Sequence, residues 1–175
     1  MSKHLNVEIK ARCAHLDEAR KVLQELGADY KGTDHQTDTY FVVPNGRLKL
    51  RQGNIENALI FYRRENAATP KGSQVNMIQV QEGEALKSLL TEALGVKVEV
   101  KKSREIYFID NVKFHLDQVA PLGTFAEIEA IDKTGTLGAD HLQKQCEHYM
   151  QLLRIAPGDL QSHSYSDMLL DKKPG

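Results

Sequence analysis

Apolar and polar residues alternate along several segments of the chain, which is the pattern of β-strands with two unlike faces. The first such segment is Asn6–Arg12, in which Val7, Ile9 and Ala11 alternate with charged side chains. Similar alternation recurs at Arg47–Arg51, Val112–Asp117 and Phe125–Ala130. Several strands that each carry a charged face favour a sheet with one face reserved for a charged ligand.

The same patterns, read along the whole chain, predict eight strands and three helices. The strands are expected at Lys3–Cys13, Gln36–Val43, Arg47–Arg51, Asn57–Arg64, Gln74–Gln81, Lys97–Ile109, Val112–Val119 and Thr124–Ile131. Apolar stripes of helical period predict helices at Leu16–Leu26, Glu84–Leu94 and Asp140–Leu153. Glu65–Gly72 has the composition of a loop. Residues from about position 171 are expected to fray.

This order of elements predicts an α+β fold in one domain over residues 1–175. The expected architecture is an eight-stranded antiparallel β-barrel, or tunnel, with a polar, charged interior and about three helices packed outside. The apolar strand faces would then contact the helices, and the charged faces would line the interior. Because a dry interior could not hold so many ions, the tunnel must contain water, ions or a ligand.

Composition narrows the classes of partner. With 41% hydrophobic and 27% charged residues the chain fits a globular protein, and its net charge of −1 supplies no general attraction to nucleic acid or to an anionic membrane. We find no signal peptide or membrane-spanning run, and expect a cytoplasmic protein. Cys13 and Cys146 are far apart and are expected to be reduced thiols.

The charged faces point to phosphate chemistry. The candidate cations are Lys10, Arg12, Lys49, Arg51, Arg63 or Arg64, Lys102, Arg104 and Lys113, and the candidate carboxylates are Glu8, Asp117, Glu127 and Glu129. Converging guanidinium and ammonium groups suit a polyphosphate, whereas carboxylates suit Mg²⁺ or Mn²⁺, so that together they indicate metal-assisted phosphoryl or nucleotidyl transfer.

Simpler interpretations stay open for single residues. One alternating strand is more often a half-solvated sheet face than a site. His115 could be a hydrogen-bonded filler, and Tyr40 and Tyr62 could be core or rim residues. On the sixth strand, periodicity alone does not decide whether the odd-numbered residues or Lys102 and Arg104 face inward.

Several motifs together resemble the CYTH superfamily, the triphosphate tunnel metalloenzymes, and most closely its class IV adenylyl cyclase-like branch. They are Glu8-Ile9-Lys10, the Arg47–Arg51 strand, Lys102-Ser103-Arg104, His115-Leu116-Asp117, Phe125–Glu129 and Ser164–Asp167. The resemblance covers nearly the whole chain in order. It implies an eight-stranded tunnel that binds a triphosphate through cations and holds one or two divalent metal ions, Mg²⁺ or Mn²⁺, through acidic residues.

The resemblance also implies roles for individual residues. Metal binding falls to Glu8, Asp117, Glu127 and Glu129, and phosphate binding to Lys10, Lys49, Arg51, Arg64, Lys102 and Arg104. The predicted catalytic residues are Lys10, Arg51, Lys102 and Arg104. The charged strand faces add Arg12 and Lys113 to the predicted substrate-binding residues. It favours the register in which Lys102 and Arg104 face inward. One position departs from the family signature, because Asn6 stands where the first glutamate is expected. An amide can offer a metal an oxygen but no negative charge.

The implied activity is conversion of ATP to cyclic AMP and pyrophosphate. The alternatives are an inorganic or organic triphosphatase, and a catalytically silent nucleotide- or polyphosphate-binding protein, which Asn6 supports. The expected partner is a small-molecule triphosphate, either ATP or polyphosphate, with no nucleic acid and no membrane. A homodimer is compatible with apolar outer strand faces that helices leave uncovered.

Overall fold

The computed structural model describes residues 2–63 and 71–172. Eight strands are present: β1 Ser2–Arg12, β2 Asp29–Phe41, β3 Arg47–Gln52, β4 Asn57–Arg63, β5 Lys71–Gln79, β6 Val96–Ile109, β7 Val112–Ala120 and β8 Gly123–Asp132. Over the described residues there are four α-helices: α1 Leu16–Glu25, α2 Gly83–Leu94, α3 Ala139–Leu152 and α4 Tyr165–Lys172. A short 3₁₀ turn covers Pro157–Asp159. None of the described helices has the length and apolar character needed to cross a bilayer.

The strands close into one antiparallel barrel in the order β1-β5-β4-β3-β2-β6-β7-β8. Closure is completed by the pairing of β1 with β8, in which Glu8 lies opposite Glu129 and Lys10 opposite Glu127. The predicted eight-stranded tunnel is therefore confirmed. Because residues two apart on a strand face the same side, the even-numbered residues of β1 and β6 line the interior together.

The main apolar core lies outside the barrel, under α1 and α3. Val7, Ile9, Phe114 and Ile128 on the outer faces of β1, β7 and β8 pack with residues of these helices, including Leu142. These four strand residues and Leu142 are each at most 3% exposed. This arrangement agrees with the prediction that apolar strand faces turn outward and leave the charged faces to the lumen.

Strands β4 and β5 depart from that rule. Their lumen-facing residues are largely apolar: Ala58, Ile60 and Tyr62 on β4, and Val75 and Met77 on β5. The charged interior expected from the sequence is thus confined to part of the wall, and the remainder of the wall is apolar.

Helix α4 closes one end of the barrel. Its Tyr165 packs with Tyr40, Val100 and Phe125, and Leu169 on the same helix contacts this cluster. Three helices were predicted from the sequence, and none of them was placed here. The helix begins with reciprocal hydrogen bonds in which Ser164 Oγ accepts from the Asp167 amide at 3.2 Å and Asp167 accepts from the Ser164 amide at 3.4 Å. Such a capping box was readable in Ser164–Asp167.

Two strands begin at least three residues earlier than predicted. β2 begins at Asp29 rather than Gln36, since its polar first half pairs with β6 from Asp29 opposite Phe108 onward, and this pairing overrides the low strand propensity of the segment. β5 begins at Lys71, inside the predicted loop Glu65–Gly72. Residues 65–70 of that loop lie outside the described part of the chain.

Candidate functional site

The barrel encloses a cavity of about 370 Å³ to which all eight strands and α4 contribute. Basic and acidic side chains share its wall. The basic ones include Lys10, Lys49, Arg51, Lys102, Arg104 and Lys113, and the acidic ones include Glu8, Asp38, Glu56, Glu127 and Glu129. The cavity therefore brings together cations from four strands, β1, β3, β6 and β7.

Asp38 on β2 is the centre of the first ion-pair cluster and is only 1% exposed. Arg51 donates to its two oxygens, from Nε and Nη2, at 2.9 Å each. Lys102 Nζ lies 2.8 Å and Lys49 Nζ 3.5 Å from its Oδ2. Burial opposes ionisation of Asp38, but the three cations hold its pKa well below the usual range. One carboxylate thus keeps three cations together in a buried site.

Lys102 has an unusually low affinity for its proton. Burial disfavours the charged ammonium, Asp38 favours it, and the nearby cations Arg104 and Arg51 disfavour it further; together these effects lower the pKa of Lys102 to about 7. An anion that entered the cavity would favour the protonated form. Binding of an anion next to Lys102 would therefore be accompanied by proton uptake.

A second cluster surrounds Arg104 on β6. Its guanidinium donates to both oxygens of Asp117, at 2.7 and 2.6 Å, and to Glu127 at 3.0 Å. Asp117, which is 0% exposed, also accepts a hydrogen bond of 2.7 Å from the Tyr165 hydroxyl. The Tyr165 ring in turn lies 3.8 Å below Lys10 Nζ. Helix α4 thereby connects the closed end of the barrel to the ion pairs.

Glu127 on β8 joins this cluster to two further groups. Lys10 Nζ lies 3.5 Å from Glu127 Oε1, and His115 Nδ1 lies 2.9 Å from Oε2. Burial opposes its charge, but Arg104 and Lys10 hold the pKa of Glu127 well below the usual range. His115 is 2% exposed, and its Nε2 atom is buried with no hydrogen-bond partner in the described part of the chain. His115 is therefore a hydrogen-bonded residue of the cavity wall with one nitrogen still available.

A further carboxylate, Glu56, enters the cavity from the connection between β3 and β4. It accepts from Arg51 at 3.0 Å and contacts Lys113. The connection is fixed by Asp34, which accepts from the Ile55 and Glu56 amides at 3.0 and 2.9 Å. Gly53 permits this approach, because a Cβ there would lie 2.4 Å from Asp34 Oδ1. The position of Glu56 is thus built into the fold.

The residues that the resemblance assigned to metal binding do not form one cluster. Asp117 and Glu127 are held in ion pairs, and residues 2–63 and 71–172 contain no group of three His, Cys, Asp or Glu that could hold a metal ion. Glu8 and Glu129 do face each other on paired strands. Beside them, Asn6 Nδ2 donates to Glu129, and Asn6 Oδ1 is buried without a hydrogen-bond partner among the described residues. These oxygens are the donor type that Mg²⁺ and Mn²⁺ prefer, so Asn6, Glu8 and Glu129 fit such an ion.

The predicted substrate-binding residues separate into three groups. Lys10, Lys49, Arg51, Lys102, Arg104 and Lys113 all line the cavity. Arg12 is exposed, donates to the Leu122 carbonyl at 3.3 Å and lies over the Phe125 ring, away from the cavity wall. Arg64 lies outside the described residues.

Two carboxylates of the site were missed from the sequence. Asp38 could have been found from the sequence. On the alternating second strand it shares a face with Gln36 and Tyr40, which lie two residues before and after it. Glu56 carried none, since it belongs to a connection without periodicity. Both matter because they neutralise cations that would otherwise repel one another inside the barrel.

The arrangement is suited to exchange of anions. Each of Arg51, Arg104 and Lys102 already contacts carboxylate oxygens with short, charge-assisted hydrogen bonds. Phosphate oxygens present the same charge and the same hydrogen-bond acceptors. A polyphosphate that entered the cavity could therefore take the positions of some of these carboxylates without leaving the cations unpaired.

The fold and its sequence can be compared with known proteins. A structure of the PH1012 protein from Pyrococcus horikoshii OT3 superposes with a TM-score of 0.81 at 24% identity, over 93% of this chain and 98% of that one. A Vibrio parahaemolyticus protein named a "putative adenylate cyclase" gives 0.78 at 18% identity, over 95% and 98%. The Hippeastrum protein HpAC1, named a "putative adenylyl cyclase" and described as having a dominant triphosphatase activity, gives 0.62 at 13% identity, over 98% and 97%.

These likenesses agree on the barrel fold. No curated protein matched the sequence. The family model for the CYTH domain matches residues 4–165, which is most of the chain and includes every strand of the barrel. The chain belongs to the CYTH domain family.

Proposed function

We propose that this chain is a metal-dependent enzyme that cleaves a phosphoanhydride bond of a triphosphate bound in the barrel. CYTH family members are typically enzymes of this kind and use divalent metal ions. The observation that supports the proposal is the convergence of Lys49, Arg51, Lys102 and Arg104 on one enclosed cavity. Such a set of cations matches a polyphosphate, whose many oxygens lie along a short line.

The cations have a direct part in this reaction. They bind the phosphates, orient the chain of phosphorus atoms and stabilise the negative charge that develops on the departing group. Asp38, Asp117 and Glu127 position these cations through the ion pairs described above. The barrel wall limits the access of water, which strengthens each electrostatic interaction.

The metal site would be formed by Asn6, Glu8 and Glu129. A divalent ion bound there would act as a Lewis acid. It would neutralise phosphate charge and lower the pKa of an attacking hydroxyl or water. Asn6 contributes an oxygen without a charge, so the site carries one negative charge less than a site built from three carboxylates.

Cyclisation of ATP to cyclic AMP and pyrophosphate is the first candidate reaction. It is supported by the likeness to the Vibrio parahaemolyticus protein that bears an adenylate cyclase name. Hydrolysis of a triphosphate is the second candidate, and the dominant triphosphatase activity of the Hippeastrum protein supports it. The two reactions differ in the bond that breaks and in the attacking oxygen, which belongs to the ribose in one and to water in the other.

Phosphorus NMR of the purified protein with ATP, and separately with inorganic tripolyphosphate, tests the proposal in the presence of Mg²⁺ or Mn²⁺. Formation of cyclic AMP and pyrophosphate establishes the cyclase. Release of orthophosphate establishes the triphosphatase. Resonances that broaden through binding but show no product would overturn the proposed enzyme and leave a protein that binds triphosphates without converting them.

A further inference from the structure

Five lumen-facing residues of β4 and β5 form an apolar strip on the cavity wall: Ala58, Ile60, Tyr62, Val75 and Met77. They constitute a cluster of their own, apart from the core under α1 and α3. Ile60 lies opposite Met77 and Tyr62 opposite Val75 in the paired strands, so the five side chains make one continuous surface. None of the five carries a charge that could pair with phosphate.

The strip begins directly beside the cations of β3. Lys49 lies opposite Ile60 and Arg51 opposite Ala58 in the β3–β4 pairing. Lys49 Nζ is 5.4 Å from the centroid of the Tyr62 ring. In the circular order of strands, β5 and β4 lie opposite β6 and β7, which carry Lys102, Arg104 and Lys113. A ligand in the cavity would therefore contact cations and the strip at the same time.

The strip also faces an open space. Ile60 and Tyr62 are 8% and 7% exposed, and Val75 and Met77 are partly exposed. Water in contact with an apolar wall is less favourable than an apolar ligand in the same place. Inorganic tripolyphosphate has no apolar surface and would leave this wall wet.

The side chains of the strip suit a planar aromatic group. Branched aliphatic side chains such as Ile60 and Val75 cover the face of a ring, and the Met77 thioether makes favourable contacts with aromatic rings. Ser73 and Gln79 line the cavity at the two ends of the β5 part of the strip. Their hydroxyl and amide groups can hydrogen-bond to heteroatoms at the edge of a base.

We propose that the apolar strip is the subsite for the base of a nucleoside triphosphate whose phosphates contact the cations of β3 and β6. This assignment rests on the proposed function, because it presumes a triphosphate in the barrel. It makes the substrate an organic rather than an inorganic triphosphate. A ligand without an apolar group gains nothing from the strip.

Equilibrium binding, measured by titration calorimetry in EDTA so that no turnover occurs, tests this subsite. ATP and methyl triphosphate are the two probes, because they carry the same triphosphate ester and differ in the organic group. The wild-type protein should bind ATP at least about tenfold more tightly than methyl triphosphate. Equal affinities would overturn the subsite.

Conservative variants locate the contact on the strip. Met77→Gln and Val75→Thr each keep the size of the side chain and add a polar group, and each should weaken ATP binding about fivefold while changing methyl triphosphate binding by less than about twofold. The matched control is Ile78→Thr, since Ile78 is the next residue on β5 but faces outward and is 46% exposed. It should affect neither ligand.

The outcomes separate the subsite from the function on which it rests. Parallel weakening of both ligands by Met77→Gln and Val75→Thr, with the circular dichroism spectrum unchanged, would overturn the subsite alone. Failure of the wild-type protein to bind ATP, methyl triphosphate and tripolyphosphate, both in EDTA and with Mg²⁺, would overturn the proposed function itself.

Discussion

Lys102 Nζ lies 2.8 Å from Asp38 Oδ2, although the two residues are 64 positions apart in the sequence. Both are largely withdrawn from solvent, at 6% and 1% exposure. The same carboxylate also contacts Arg51 and Lys49. Asp38 therefore occupies, in the ligand-free protein, the place that an anionic ligand would compete for.

Replacement of Asp38 by Asn tests this relationship. Asp38→Asn removes the charge that Lys102 contacts and should lower the free energy of unfolding by about 3–5 kcal/mol, because buried cations lose their counter-ion. Tripolyphosphate should restore part of that loss, so the ligand should raise the melting temperature more in the variant than in the wild type. Thermal unfolding with and without tripolyphosphate measures both effects.

A surface carboxylate provides the control for this experiment. Glu99→Gln removes an ion pair with Lys87 in which both side chains are about one-third exposed, and it should change neither the stability nor the ligand response appreciably. Equal ligand-induced shifts in Asp38→Asn and the wild type would contradict the competition between Asp38 and phosphate.

Binding of a polyphosphate should depend on pH through Lys102. Its pKa in the free protein is lowered to about 7, so the ammonium is charged below that pH and increasingly neutral above it. Phosphate oxygens favour the charged form, so binding above pH 7 takes up a proton and becomes weaker as the pH rises. Titration calorimetry at pH 8 in buffers of different ionisation enthalpy counts these protons.

Lys102→Arg is the matched variant for the pH experiment, because arginine stays protonated throughout this range. Its binding should take up about one proton fewer than the wild type at pH 8, and the same number well below pH 7. The titration of the ligand itself is common to both proteins and cancels. An identical proton count at pH 8 would show that Lys102 is already charged in the free protein.

Glu129 should matter for metal binding and not for phosphate binding. Glu129→Gln removes one of the two carboxylates that face each other beside Asn6, and it should weaken Mn²⁺ binding at least about tenfold and reduce metal-dependent turnover. Binding of tripolyphosphate in EDTA should be retained or improved, since a negative charge has left the cavity. Electron paramagnetic resonance of Mn²⁺ and calorimetry measure the two properties separately.

The control for the metal experiment is Glu105→Gln. Glu105 pairs with Arg20 at 2.8 Å and does not line the cavity, so its loss should leave Mn²⁺ affinity unchanged. If Glu129→Gln and Glu105→Gln bound Mn²⁺ equally well, the ion would have to be held elsewhere.

Lys10 and Arg12, two cations on β1, should contribute very differently to polyphosphate binding. Lys10 lines the cavity beside Glu127, whereas Arg12 is exposed and donates to the Leu122 carbonyl. Lys10→Met should weaken tripolyphosphate binding at least about tenfold, and Arg12→Met less than about twofold. Direct binding at constant ionic strength distinguishes the two. A large loss in Arg12→Met would mean that the phosphate chain extends to the α4 end of the barrel.

Local pattern was sufficient to place much of the charged wall. Period-2 alternation put Lys49 and Arg51 on one face of β3, and the family resemblance selected the register in which Lys102 and Arg104 face inward. The same reasoning gave the wrong start for β2. There the polar segment from Asp29 has weak strand propensity and is extended because β6 pairs with it.

The apolar strip could not be predicted from alternation along the strand. Ile60 alternates with Leu59 and Phe61, which are also apolar, so the sequence of β4 shows no contrast between its faces. Only closure of the barrel decides that Ile60 and Tyr62 face the lumen. The sequence therefore predicted a charged tunnel and gave no indication of its apolar wall.

The sequence by itself determined the barrel, the outward apolar core and most of the cations, because these follow from the local alternation of side chains along each strand. The tertiary structure decided which charges meet. Asp38 contacts Lys102 because β2 pairs with β6, and Arg104 contacts Asp117 because the two residues lie opposite each other in the β6–β7 pair. Glu56 contacts Arg51 because the Asp34-anchored connection turns it into the cavity. Electrostatic partners depend on distance in space, and one-dimensional periodicity does not encode that distance.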